Sequence, residues 1–404
     1  MQATLISVGN ELLMGKTLNT NLTTLAKGLQ RMGIGVAKAY TIQDHERAIK
    51  AALKHADDPI VILTGGLGPT PDDMTKEVVC DYFGLSLELH EPSLKAIEAM
   101  FARYGKVMPE ANRKQALFPL EATVLENPVG TAPGLLIETK NQTIVCLPGP
   151  PNEMRPMFDL VIPMLLNKRD EPIHQAGFLV AGIGESEMED KLEDFASQHS
   201  TVRLAPYAGI GEIQYIFTST DSAALHAAMR AFETRFKRYI MGPYEQTFEA
   251  ILVDLLSQRN ETISAVESCT TGLLVGRLGN VPGVSRVLKE SFVLYDNQQK
   301  IKRLNLFPST FDAFGVVSHE AVEAMVEGCA ALTQSDLNCA ISGIAGPEGG
   351  SAEKPVGTVF FGIHYRGTTQ TYERFFPGDR QTVRQRSVAH ALFLLIRTVL
   401  NDGR

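Results

Sequence analysis

The sequence predicts an α/β protein built from an N-terminal α/β/α sandwich, a small α+β unit and a C-terminal α/β domain. Three observations carry that expectation. Short β-branched runs alternate with amphipathic helical stretches at both ends of the chain, the rhythm of parallel sheets covered by helices on both faces. Glycine-rich turns follow several predicted strands, where ligands of such sheets bind. The chain has 404 residues, 44% hydrophobic and 21% charged, enough for two or three domains with ordinary cores.

Taken in order, residues 4–8 read as a strand and 9–15 as the loop after it. Residues 19–29 read as a capped amphipathic helix with Leu22, Leu25 and Leu29 on one face. A strand (35–40), a helix (45–56) and a strand (59–64) continue the alternation. The turn Thr64-Gly-Gly-Leu-Gly-Pro-Thr70 then offers backbone N–H groups from Gly65, Gly66 and Gly68, with the Thr70 hydroxyl beside them. Asp72, Asp73 and Thr75 open the next helix, Glu11 follows the first strand and Asp44 the second. The glycine turn offers N–H donors, and the carboxylates beside it could hold a cation, so Glu11, Asp72 and Asp73 are the candidate metal ligands. The plainer reading is that both aspartates complement a helix N-terminus. Two more turns, 127–131 and 147–153, fall at later strand ends.

A charged, proline-containing break at residues 169–172 marks a boundary. Beyond it, strands at 174–180, 202–205 and 211–218 and helical stretches at 182–192 and 223–236 make the small unit, with Ser186 and Glu189 spaced as a capping box.

In the last part, residues 261–266 form a β-branched run and Leu273, Leu274, Val275 and Leu278 a helix face, so Ser268 sits at the bend. Thr270, Thr271 and Gly272 fall in the expected first turn, whose unpaired N–H groups could hold an oxyanion while Ser268 attacks a carbonyl. By itself the stretch reads as an ordinary N-cap. A second strand-to-helix bend carries Tyr295 and, one turn on, Lys300. A third strand runs into Ser342-Gly-Ile-Ala-Gly-Pro347, where Gly343, Ile344, Ala345 and Gly346 could let an anion approach the backbone. No Gly-Lys-Ser/Thr closes this turn, so it is not a Walker loop. His319, His364 and His390 lie in no motif, and no Ser-His-Asp set is evident. Arg380 and Arg384 are i,i+4 neighbours on the last helix and could meet an anion, although exposed helix charge is commoner.

These motifs make a resemblance. Glu267-Ser-Cys-Thr, Tyr295-x-Asn-x-x-Lys300, Gly315-Val-Val-Ser318, Ser342-Gly-Ile-Ala-Gly-Pro347, Lys354-Pro-Val-Gly-Thr358 and Phe376-Pro-Gly-Asp-Arg380 resemble the C-terminal domain of the CinA (competence/damage-inducible) family. Residues 1–168 resemble the molybdopterin-binding, MoaB/MogA-like fold at the N-terminus of such proteins, which places domains at 1–168, 169–242 and 243–404. The resemblance implies a nicotinamide-nucleotide amidase, converting nicotinamide mononucleotide to nicotinic acid mononucleotide and ammonia without metal or other cofactor. It further implies a homodimer and, for the N-terminal domain, an ADP-ribose pyrophosphatase using magnesium, manganese or cobalt. The alternative is a nucleotide- or pterin-binding protein whose amidase site has decayed. One departure bears on this: the family reads Glu-Ser-Cys-Thr-Gly-Gly, and Thr271 stands at the first glycine. A side chain there is expected to crowd the substrate, so that Thr271→Gly would raise kcat/KM by roughly tenfold.

The resemblance gives the nucleophile to Ser268 rather than Cys269. With no histidine at hand, Lys300 is the candidate base, directly or through the Tyr295 hydroxyl. A net charge of −8 argues against nucleic-acid partners. Five cysteines with no Cys-x-x-Cys spacing argue against zinc and disulfides. No leader and no membrane-length apolar run is seen, so a cytoplasmic location away from membranes is expected.

Overall fold

The computed structural model describes residues 1–166 and 173–401; the break expected at residues 169–172 and the boundary after residue 168 lie outside them. The chain divides into two compact units, Met1–Ile173 and His174–Arg404.

In the first unit, strands β1 (Gln2–Val8), β2 (Gly35–Ile42), β3 (Ile60–Thr64), β4 (Thr123–Leu125), β5 (Gly134–Glu138) and β6 (Thr143–Leu147) form one sheet in the order β2-β1-β3-β6-β5-β4. The first four in that order are parallel and the last two pairings antiparallel. Alternation along each strand feeds two cores. Leu5, Ile60 and Ile62 pack with Leu25, Leu29 and Phe158 from the helices Thr20–Arg31 and Pro151–Leu166. Ile6, Val61 and Leu63 pack with Ile49, Leu53 and Val79 from the helices Glu46–His55 and Thr75–Tyr82. Asn19 caps its helix as expected, accepting from the Leu22 N–H at 3.1 Å. The stretch expected as a plain loop after β1 contains a one-turn helix, Asn10–Leu13. Gly65 leaves β3 at φ +98°, and a Cβ there would lie 2.1 Å from the Val8 carbonyl, so only glycine lets the chain turn so close to β1.

The second unit holds two sheets. Strands β7 (His174–Val180), β8 (Arg203–Ala208), β9 (Ile213–Ser219) and β10 (Ile240–Pro243) pair antiparallel in the order β8-β9-β7-β10. The helix Ser222–Phe236 is capped by the Asp221 carboxylate. The capping box expected at Ser186 does not form: the helix Glu185–Leu192 begins at Gly184, which puts Ser186 inside the first turn, and Glu189 accepts from the Tyr215 hydroxyl instead.

Strands β11 (Ile263–Glu267), β12 (Leu288–Val293), β13 (Leu337–Gly343), β14 (Thr358–Tyr365) and β15 (Thr368–Phe375) form the other sheet, ordered β12-β11-β13-β14-β15. β12, β11 and β13 are parallel, while β14 and β15 return antiparallel. Helices Phe248–Arg259, Leu273–Gly279 and Arg380–Asn401 bury their apolar residues against one face, and His319–Thr333 covers the other. The carboxyl ends of three adjacent parallel strands therefore open side by side, and each carries one of the motifs singled out above. No described helix is long and apolar enough to cross a membrane.

Candidate functional site

At the end of β11, Glu267 is fully buried and its carboxylate accepts from the N–H groups of Leu274 at 3.1 Å and Val275 at 3.0 Å. This corrects the expectation for the Ser268 bend. The helix begins at Leu273, Thr270 to Gly272 form a turn before it, and its first-turn donors are spent on Glu267. Ser268 is 8% exposed. Its N–H is tied to the Ile341 carbonyl on β13 at 3.0 Å. Among the described residues no hydrogen bond reaches its hydroxyl. Cys269 points inward, and burial pushes its thiol up to about 12, against the weaker opposing effects of Lys300 and Arg380. A thiol so held is a poor nucleophile near neutral pH.

At the end of β12, Asp296 caps the helix Asn297–Leu304, accepting from the Gln299 N–H at 3.1 Å. Lys300 is 2% exposed, and its ammonium donates to the Tyr295 carbonyl at 3.1 Å and the Asn297 side-chain oxygen at 3.0 Å. No carboxylate pairs with it among the described residues, and burial lowers its pKa below the usual lysine value. The phenol of Tyr295 is placed otherwise than expected. The residue is 58% exposed, and its hydroxyl accepts from Arg380 at 3.4 Å rather than meeting Lys300. Arg380 also donates to the Gly346 carbonyl at 2.9 Å, linking the second strand end to the third.

The third strand end is less open than its glycines suggest. The Ile344 N–H donates to the Thr358 carbonyl at 2.9 Å, and the Ile344 carbonyl accepts from Gly357 at 2.7 Å. A Cβ at Gly343 would fall 2.7 Å from Val359, and one at Gly346 2.5 Å from Val356. These glycines serve close packing of the chain on itself. Both backbone groups of Ile344 and the carbonyl of Gly346 are engaged within the protein, and Ala345 is buried.

Thr271 adopts φ +50°, a left-handed conformation that is costly for a β-branched residue. Its hydroxyl accepts from Arg384 at 2.5 Å, and the same guanidinium nitrogen donates to the Thr270 carbonyl at 2.9 Å. The side chain thus points at Arg384, and Arg384 braces the Ser268 turn. Buried beneath this bridge, the Thr270 hydroxyl and the Arg384 Nε have no partner among the described residues. His390 is packed against Phe361, Phe376 and Phe393, and burial lowers its pKa to about 4, which leaves it a neutral core residue.

In the first unit, Gly65, Gly66 and Gly68 line a cleft of about 410 Å³ with Glu11, Asp44, Asp72, Asp73 and Glu153. Thr70 lies beside it, its N–H donating to Asp73 at 3.0 Å and its hydroxyl bound to both Asp72 and Asp73. Those contacts turn the two aspartates onto Thr70. Glu11, Asp72 and Asp73 therefore share the cleft without forming the expected cation set: no group of three His, Cys, Asp or Glu among the described residues is placed to hold a metal ion. Asp44 accepts from the Asn10 N–H at 2.8 Å, and its pKa is raised by burial, with Glu11 and Asp72 adding to the rise.

Across its length the chain is 43% identical, over 410 residues, to a CinA-like protein of Dictyoglomus thermophilum, with 99% of this chain and 100% of that protein covered. The chain belongs to the CinA family. A CinA-like protein of Dictyoglomus turgidum is 40% identical over 410 residues, covering 99% of this chain and 100% of its own. Three family descriptions match in succession: probable molybdopterin binding domain at residues 4–167, damage-inducible protein CinA KH domain at 178–242, and CinA C-terminal domain at 245–399. Among solved structures, the CinA protein of Thermoplasma acidophilum is 34% identical and covers 41% of this chain and 97% of its own, at a TM-score of 0.38.

Within this CinA-family chain the sequence reading missed Glu267, which stood in a quoted motif without a role. Its contacts run seven and eight residues ahead across a turn, a spacing no helical periodicity flags. It also missed Asn297 as the holder of Lys300, although three residues apart on one helix is a readable signal. Glu153 arrives from a helix far along the chain.

Proposed function

We propose that the C-terminal part of this CinA-family protein hydrolyses the carboxamide of nicotinamide mononucleotide, with Ser268 as nucleophile and Lys300 as base. The observation that carries the reading is a buried lysine with no carboxylate partner among the described residues, one strand away from a serine whose hydroxyl bonds to no described residue. A neutral Lys300 takes the hydroxyl proton while the oxygen attacks the amide carbon. The same group then protonates the departing ammonia, leaving an acyl-serine. Water, deprotonated by Lys300, releases nicotinic acid mononucleotide and restores the serine. Of the donors expected in residues 270–272, the Thr271 N–H is bound to the Ser268 carbonyl, so the N–H groups of Thr270 and Gly272 take that part. Tyr295, tethered to Arg380, edges the pocket rather than relaying the proton. The substrate's pyridinium cation, beside Lys300, favours the neutral amine further. Ammonia release from nicotinamide mononucleotide, with nicotinic acid mononucleotide formed in equal amount and both insensitive to chelator, tests this; no release above background would refute it.

Thr271 is then a working contact rather than an obstruction. Thr271→Val keeps the shape and the backbone strain but loses the bond to Arg384, and kcat/KM is expected to fall about tenfold, equivalent to roughly 1.4 kcal/mol. Thr271→Ser should keep most of the activity. Thr271→Gly relieves about 1–2 kcal/mol of left-handed strain while losing the same bond, so its net effect should stay within roughly threefold. A Val variant equal to the wild type in ammonia release would show that the bridge to Arg384 is idle.

For the first unit we infer a site for a phosphate-bearing ligand, with ADP-ribose as the substrate and AMP and ribose 5-phosphate as products. What supports this is the glycine turn opening onto the cleft. Five carboxylates line that cleft and, among the described residues, no lysine or arginine does, so a diphosphate enters favourably only with a cation of its own. Cleavage by the full chain should therefore need added magnesium, manganese or cobalt. Absence of cleavage with all three would leave the cleft without this activity. Residues 178–242 contain no Gly-x-x-Gly, the loop with which KH domains clamp a nucleic-acid backbone, and this supports a small-molecule role over nucleic-acid binding.

A further inference from the structure

Strand β15 (Thr368–Phe375) forms one side of the five-stranded sheet, and it differs from every other described sheet edge. An open edge offers a row of unpaired N–H and C=O groups to any other strand. Proteins blunt such edges with lysine, proline, register breaks or extreme shortness. Edge strand β2 carries Lys38 and a break in its register with β1. β8 has Pro206 in its middle, and β10 ends in Pro243 with a register break before Gly242. β12 holds Lys289 and a break opposite Ile263 and Ser264. β4 has three residues, and the strands of the ribbon pairing Glu88–Leu89 with Leu117–Phe118 have two each. β15 has eight residues, no lysine, no proline and an unbroken register with β14. Beyond that pairing its backbone meets one partner among the described residues, the Arg374 guanidinium, which donates to the Glu373 carbonyl at 2.9 Å.

We propose that β15 is a docking edge for a second copy of this chain, whose own β15 adds alongside it antiparallel and joins the two sheets into one. The strand is compatible with itself. Residues directly opposite in an antiparallel pair share a face, so a two-fold pairing of β15 with itself centres on one residue. Centred on Thr371, it sets Thr368 against Arg374 and Gln370 against Tyr372. Centred on Tyr372, it sets Gln370 against Arg374 and Thr371 against Glu373. Neither register brings like charges together, whereas centring on Glu373 or Arg374 would. On one face of the strand, Thr369 and Thr371 are engaged within the chain, by Glu327 at 3.1 Å and His319 at 2.9 Å. On the other face, Thr368, Gln370 and Tyr372 line a hollow of about 320 Å³ against Leu394, Arg397 and Asn401 of the last helix. Strand addition draws affinity from main-chain bonds and specificity from pockets for alternate side chains beside the edge. In either register Tyr372 and Arg374 of the second copy stand opposite residues that line this hollow, which is what makes the occupant a second copy. The inference does not depend on the reading of the Ser268 site.

Thr368→Lys combined with Gln370→Lys sets a cation opposite Arg374 in either register, at two exposed positions where the fold should tolerate it. Sedimentation of the full chain across a dilution series should show a dimer for the wild type. The double variant should raise the dimer dissociation constant at least about tenfold, with an unchanged far-ultraviolet circular dichroism spectrum. Adding Arg374→Glu turns each new repulsion into an ion pair and should restore the dimer, which a dimer formed through another surface would not show. A readout that needs no variant is amide hydrogen exchange in residues 368–375 of the wild type, which should slow as concentration rises through the dimer transition. A wild type that is monomeric at every concentration would overturn the proposal. So would a folded double variant that dimerises as well as the wild type, or exchange in residues 368–375 that is indifferent to concentration.

Discussion

Ser268→Ala is expected to lower kcat for ammonia release from nicotinamide mononucleotide by about a thousandfold or more, since removal of a nucleophile ends the covalent route and leaves only binding and oxyanion contacts. Binding of the substrate should change little, because phosphate and pyridine contacts lie elsewhere. The fold should also be unaffected, for the Ser268 hydroxyl bonds to no described residue and its N–H, which holds the turn to Ile341, is retained. Steady-state kinetics and a thermal melt read the two effects separately. A variant with full turnover would remove Ser268 from the chemistry.

Lys300→Met is expected to lower kcat by about 10²–10⁴-fold, the usual contribution of a positioned base, while the isosteric stem keeps the core packed. The pH dependence carries the sign of the effect. Burial lowers the Lys300 pKa from 10.5, and the neutral amine is the active form. Wild-type kcat should then rise with pH, levelling off once pH passes the lowered pKa. The residual rate of Lys300→Met should lack that rise. Stability follows the same group: the unfolded chain binds the proton more tightly, so the burial penalty is present below the folded pKa and is relieved as pH climbs toward 10.5. Wild-type stability should gain on that of Lys300→Met across this window. A kcat that falls with rising pH would mean that Lys300 acts as a cation.

Much of this arrangement was readable from the residues, and the exceptions have a common cause. The first of the three strands was visible as a β-branched run over 261–266 and the other two as strands leading to Tyr295 and into Ser342-Gly343, and parallel pairing puts their ends together. Lys300, expected one helical turn beyond the second strand end, lies there. What escaped were contacts between side chains brought together by the sheet. Arg384 meets Thr271 from 113 residues away, so the threonine looked like an obstruction when its hydroxyl had a partner. Glu267 looked like a strand residue, and its hold on the N–H groups of Leu274 and Val275 was not visible. In the first unit the glycine turn was legible, whereas the hydrogen bonds that turn Asp72 and Asp73 onto Thr70 were not.

The central claim, an acyl-enzyme on Ser268, is tested most directly by quenching the protein with acid during its first turnover of nicotinamide mononucleotide and mapping the bound acyl group by peptide mass spectrometry. The expected result is a nicotinate mononucleotide ester on Ser268, absent from Ser268→Ala. An acyl group found on Cys269 instead, or undiminished turnover with no covalent adduct at any time point, would contradict it.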